Sequence, residues 1–253
     1  MTLTPITFLI VCPMVFLAGL VDSIGGGGGL ISLPAYLFAG LPIHLAIGTN
    51  KMSSCCGTAV AATRFAKNGL IDLKLAVPAI VMAIIGSSIG AHISMQMDER
   101  ILRYLLIAVL PIAAYFVLNR HLFNDNGTGR VNYDRRTYLV ACLSALLIGI
   151  YDGTYGPGTG TFLIIAFTVF AKLSIGQANG QTKAINLTTN LTSLVIFLLN
   201  GQVLVPLGIA AALCNMAGGY IGSGMAMQNG ARIVRPIILV VLVLLFIKIL
   251  TGS

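Results

Sequence analysis

Apolar stretches of about 20 residues follow one another along nearly the whole chain, and this decides the solvent in which it folds. A helix rises about 1.5 Å per residue, so one such stretch crosses a hydrocarbon core roughly 30 Å thick. Only 9% of the 253 residues are charged and 57% are hydrophobic, against about 25% charged in a water-soluble domain. The chain reads as an integral, all-α polytopic membrane protein whose first partner is the lipid bilayer. Its formal charge of +8 does not indicate nucleic acid, because the Lys and Arg residues are scattered at segment ends. There they set topology or meet lipid head groups. No basic residues precede the first apolar segment, so cleavage as a signal peptide is not expected. The cysteines Cys12, Cys55, Cys56, Cys142 and Cys214 lie within apolar segments without metal-type spacing, and read as small buried thiols.

The sequence also repeats itself. "GLVDSIGGGG" (Gly19 to Gly28) matches "GIYDGTYGPG" (Gly149 to Gly158), so that Asp22 pairs with Asp152 and Gly26 with Gly156. Further on, Lys51 pairs with Lys183, Asn68-Gly69 with Asn200-Gly201, "GSSIG" at Gly86 with "GGYIG" at Gly218, and "RILR" at Arg100 with "RIVR" at Arg232. Internal repeats of this kind mark duplicated architectures. The reading is a first transmembrane repeat over 1–119, a polar connector over 120–136 and a second repeat over 137–253.

Each repeat holds five apolar pieces: 5–23, 29–40, 44–66, 73–96 and 100–118, then 137–152, 159–171, 176–199, 203–227 and 232–250. The second piece of each is about 12 residues, too short to span. It either re-enters or completes a broken span with the piece before it, and glycine makes the break. Irregular backbone at membrane depth is tolerated only inside protein or beside a water-filled cavity. A returning hairpin followed by three spanning helices gives about eight membrane segments and an odd number of crossings per repeat, which makes the repeats inverted. The Lys/Arg bias agrees: Arg64, Lys67 and Lys74 place the loop near residue 70 inside, Arg120 to Arg136 place the connector inside, and the uncharged "LLNGQVLV" places the loop near residue 200 outside. A parallel arrangement with both termini inside stays open.

Inverted repeats that meet at broken helices are the architecture of secondary transporters. Free N–H groups at the start of a half-helix attract anions, and consecutive glycines can form an anion-binding nest. The candidate substrate-binding residues are therefore Gly26, Gly27, Gly28 and Gly29 with Ser32 in the first break, and Gly156, Gly158, Thr159 and Thr161 in the second. The following long helices each open on a lysine among small polar residues: Thr49, Asn50 and Lys51, then Gln181, Lys183, Asn186 and Asn190. A charge within a span costs at least about 2.5–3.5 kcal/mol, so matched lysines at this depth point to a site. Asp22 and Asp152 pair with a lysine, hold glycine N–H groups, or carry a coupling proton. No catalytic constellation stands out, and neither a metal nor a cofactor is expected.

"AGLVDSIGGGGGLISLPAYL", "AIGTNKMSS" and "GIYDGTYGPGTGTFL" together resemble the TauE/SafE sulfite exporter superfamily, in its bacterial inner-membrane branch of probable membrane transporters. The resemblance covers nearly the whole chain. It implies a permease, not an enzyme, for sulfite, sulfonates, thiosulfate or related anions, with export the usual direction and a proton or sodium ion as coupling partner. The second repeat departs from the first at Pro157 and Thr159, where the first has glycines, and at Gln181-Thr182, where the first has Thr49-Asn50, so a strictly symmetric site is not expected.

Overall fold

The computed structural model describes residues 3–102, 104, 105, 108 and 133–229. Eight helical elements account for most of them: α1 (Pro5–Gly25), α2 (Gly29–Phe38), α3 (Ile43–Lys67), α4 (Leu73–Gln96), α5 (Arg135–Thr154), α6 (Thr159–Ile165), α7 (Ile175–Leu199) and α8 (Val205–Asn229). A π-helical turn, Ala166–Phe170, extends α6. There is no strand among the described residues. Most of the fifth apolar piece of the first repeat, the whole of that of the second, most of the connector, and the Arg232 and Arg235 match lie outside the described residues.

α1, α4, α5, α7 and α8 are long and apolar enough to cross a membrane. The 25 residues of α3 give it the same reach, but it spends its composition on an inward polar face: Thr49, Asn50, Lys51, Ser53 and Thr58 are all buried. Lipid-facing positions are plainly apolar. Along α4, Leu73, Val77, Val81 and Ile85 are exposed at four-residue spacing, while the buried face, after Leu75 near its start, is alanine, serine and glycine.

The matched sequence motifs have local physical causes. Asn68-Gly69 and Asn200-Gly201 end α3 and α7 identically. Gly69 and Gly201 take φ of 68° and 67°. Their N–H groups and those of the next residues donate to Ala66 and Phe65, and to Leu198 and Phe197. That pattern caps the orphan carbonyls of a helix end and requires a left-handed residue, which favours glycine. The two Gly-x-x-x-Gly motifs are packing notches: a Cβ added at Gly86 or Gly90 would overlap the α5 backbone at Leu146 and Ile150, and one at Gly218 or Gly222 would overlap α1 at Phe16 and Leu20. Small residues let membrane helices approach closely where lipid offers no hydrophobic driving force.

These contacts fix directions. α8 runs alongside α1 in the same sense, since Phe16 meets Gly218 and Leu20 meets Gly222. α3 and α7 run oppositely: Gly48 near the start of α3 lies by Gln202, just past the end of α7, and Gly180 near the start of α7 lies by Leu70, just past the end of α3. Short turns make α7 and α8 antiparallel, so α1 and α3 point the same way. The chain leaving α1 must therefore double back before α3 begins, and α2 is the returning arm. The α1–α2 break and the α5–α6 break then meet in the middle of the bundle.

Candidate functional site

Where the two breaks meet, their backbones touch. A Cβ on Gly26 (φ 75°) would overlap Thr161 and Gly160, and one on Gly29 would stand 3.0 Å from Pro157 Cα. The left-handed positions are Gly26 and Gly27 in the first break and Gly156 and Gly158 in the second. The shift of one residue has a cause in the sequence. Pro157 stands where the first break has Gly27, and the proline ring holds φ near −65°, so the positive φ passes to Gly158.

Beside this junction lies a recess of about 430 Å³, counting its mouth. Gly27, Gly28 and Gly29 form one side of its floor, and Gly156, Gly158 and Gly160 the other. Its walls carry Asn50, Lys51, Ser54 and Thr58 from α3, Asn186 and Asn190 from α7, and Asn215 from α8. Lys51 and Lys183 each stand eight residues into their helices, about 12 Å along the axis. They are 1% and 0% exposed, so neither side chain reaches for the membrane surface.

Both lysines are paired, and the pairs cross between the breaks. Lys51 Nζ lies 2.8 Å from Asp152 Oδ2 and donates to the Asp152 backbone carbonyl at 2.5 Å. Lys183 Nζ lies 2.8 Å from Asp22 Oδ2 and donates to the Asp22 backbone carbonyl. Thr159 Oγ1 donates to Asp152 Oδ1 at 2.7 Å, whereas Asp22 Oδ1 has only the Gly28 N–H at 3.4 Å. A buried ion pair survives desolvation only when further hydrogen bonds satisfy it, and the backbone carbonyls supply these.

Several predicted residues point elsewhere. Ser32 Oγ donates to Gly28 O and Thr161 Oγ1 to Gly25 O, so both hydroxyls are absorbed by the first break. Thr49 Oγ1 accepts from Leu204 N, and Gln181 Nε2 donates to Asp72 O. These two stitch each long helix to the turn of the opposite helical pair. Gly26 packs the junction instead of lining the recess.

Ser54, Thr58, Gly160 and Asn215 line the recess without having been singled out in the sequence. The first two were legible: Lys51, Ser54 and Thr58 follow i, i+3, i+7 spacing, as do Lys183, Asn186 and Asn190, which puts each trio on one helix face. Asn215 is a lone amide within an apolar helix, and its counterpart in the first repeat is Ala83. It fits because Gly19 and Gly57 leave notches for it; a Cβ at Gly57 would overlap Asn215 Oδ1. Thr58 and Asn215 are 3% and 5% exposed, and neither side chain has a hydrogen-bond partner among the described residues. Both side chains line the recess, so their polar atoms can face whatever enters it.

The family described as "Sulfite exporter TauE/SafE" matches residues 11–249. The "Probable membrane transporter protein ORF9" of Sinorhizobium is 35% identical over 94% of this chain and 90% of its own length. The "Probable membrane transporter protein YfcA" of Escherichia coli K12 is 32% identical over 94% and 87%, and a "Probable membrane transporter protein" of Haemophilus influenzae is 31% identical over 89% and 87%. No solved structure matches the chain significantly.

Proposed function

Because the chain belongs to the sulfite exporter TauE/SafE family, we propose that this membrane transporter is a secondary permease for small sulfur-containing anions such as sulfite, a sulfonate or thiosulfate. The proposed direction is outward across the bacterial inner membrane. The observation that carries the reading is the recess: amides and hydroxyls on its walls, Lys51 among them with Lys183 behind Asp22, and glycine-broken helices at its floor. Oxyanions are bound by such N–H and O–H donors. The substrate-facing residues in this reading are Gly27 to Gly29, Asn50, Lys51, Gly156, Gly158, Thr159 and Asn186, joined by Ser54, Thr58, Gly160, Asn190 and Asn215.

The same reading takes 1–119 and 137–253 as inverted repeats of about eight membrane segments in total, with the connector cytoplasmic. It is supported by the opposed directions of α3 and α7 and by the doubling back of α2. Alternating access then works by one break-bearing repeat rocking against the other around the recess.

A second reading, a permease for an uncharged polar solute, draws on the charge balance: each lysine already has its carboxylate. One experiment separates them. The purified full-length chain is heated with sulfite, sulfoacetate, thiosulfate, sulfate, simple carboxylates and neutral polyols. A ligand at a hundred times its Kd stabilises by about 2.7 kcal/mol. Selective stabilisation by sulfur oxyanions is expected. Stabilisation by polyols alone, or by nothing in the panel, overturns the anion reading.

A further inference from the structure

The two ion pairs occupy matched positions but are not built alike. Asp152 is sealed: its side chain is 3% exposed, and each of its oxygens already accepts from a donor, Lys51 Nζ or Thr159 Oγ1, at 2.8 and 2.7 Å. Both aspartates line the recess, but Asp22 is the more open: its side chain is 18% exposed, and its Oδ1 has one long contact to Gly28 N at 3.4 Å. The residue that matches Thr159 in the first break is Gly29, which has no hydroxyl to close it. A proton has open room on Asp22 Oδ1, whereas on Asp152 the Thr159 hydroxyl would first have to turn its one hydrogen to Gly156 O.

The charge count gives this difference a use. Lys51, Asp152, Lys183 and Asp22 sum to zero, so an anion entering the recess leaves a net negative charge in a medium that solvates it poorly. We propose that Asp22 is the coupling carboxylate of the transporter: it takes up one proton for each anion bound and releases it with the anion on the far side, so outward movement is electroneutral and driven by the anion's own gradient, while Asp152 keeps its charge and holds its lysine. This rests on the anion reading above. The proton passes from water in the recess to Asp22 Oδ1, and the Lys183–Asp22 ion pair becomes a cation beside a neutral acid. Lys183 stays in place because it also donates to the Asp22 backbone carbonyl. Its uncompensated charge then stands behind Asp22 and attracts the anion, so a monovalent anion closes the site at zero net charge.

The groups that face Asp22 are few. Lys183 on α7 touches it, and Lys51 on α3 and Asp152 on α5 share the recess as a closed pair. From α2, α6 and α8 the recess is lined by Gly29, Thr159, Gly160 and Asn215, none of which titrates.

Methanesulfonate and ethanesulfonate, monovalent anions that take up no proton near pH 7, are added to the full-length protein in weakly buffered detergent containing a pH indicator. The wild type is expected to take up about one proton per anion bound, with affinity falling up to about tenfold per pH unit as the pH rises. Asp22→Asn is expected to bind without proton uptake and without that pH dependence; Asp152→Asn, where it can be purified, is expected to keep the uptake. Binding by the wild type without proton uptake, or uptake that survives in Asp22→Asn, overturns the assignment and leaves the anion reading standing. Binding of neither anion to the wild type overturns this inference, and the wider panel then decides the anion reading separately. The wild-type proton count decides the matter even if a variant fails to fold.

Discussion

Replacing Lys51 with methionine removes a charge while nearly keeping the shape of the side chain. The loss falls on Asp152, whose carboxylate is 3% exposed and keeps only the Thr159 hydroxyl on its other oxygen. Stripping one partner from a buried ion pair costs about 3–5 kcal/mol, because the remaining charge is left without compensation. Asp152→Asn strands Lys51 in the same way and should cost a similar amount. The double variant strands neither. It loses about two hydrogen bonds, at 0.5–1.5 kcal/mol each, so about 1–3 kcal/mol in all. The double variant should therefore be at least about 3 kcal/mol more stable than the sum of the single losses predicts. The cycle is measured by reversible unfolding of the full chain in bicelles, with helicity as readout. Lys74→Met, at an exposed position, serves as a control expected within about 0.5 kcal/mol of wild type. A loss below about 1 kcal/mol in Lys51→Met, or strict additivity in the double variant, would refute the claim that the pair is a dry, closed unit.

The notches and the directions of the helices can be tested in the same background. Gly57→Ala should displace Asn215 and weaken anion binding about tenfold or more, with no further loss when Asn215→Ala is added; independent, additive losses would remove Asn215 from the site. Gly28→Ala sets a Cβ 2.5 Å from Ala18 O and 2.6 Å from Asp22 Cβ, so stability should fall by about 1–3 kcal/mol along with binding, and retained stability would show that the break yields more easily than its contacts imply. Cysteines placed singly at Gly69 and Gly201 in a cysteine-free protein should be labelled from opposite faces of the membrane, Gly201 from outside. Labelling of both from one face would contradict the inverted arrangement.

The sequence by itself determined whatever depends on neighbours in the chain. The apolar pieces 29–40, 73–96 and 176–199 became α2, α4 and α7 within two residues at each end, because helix formation needs only local hydrogen bonds and a length of apolar surface. Asn68-Gly69 and Asn200-Gly201 announced their caps for the same reason. The glycine runs announced breaks, and Pro157 announced that the second break would differ from the first. The sequence also showed that two lysines and two aspartates occupy matched places, but not which would meet. That Lys51 reaches Asp152 and Lys183 reaches Asp22 was decided by the meeting of the two glycine breaks, which sets the end of α5 near α3 and the end of α1 near α7, across 101 and 161 positions of chain. Packing likewise took Thr49 and Gln181 out of the recess and brought Asn215 in, since a turn N–H or carbonyl from the opposite helical pair lay nearer to the first two than the recess did. Ser32 and Thr161 were lost to it for another reason: the Ser32 hydroxyl bonds back to the carbonyl four residues earlier in its own helix, and that of Thr161 meets Gly25 O at the broken end of α1. Whether a polar side chain serves the fold or the site depends on the partner that arrives at its tip, and that partner comes from elsewhere in the chain.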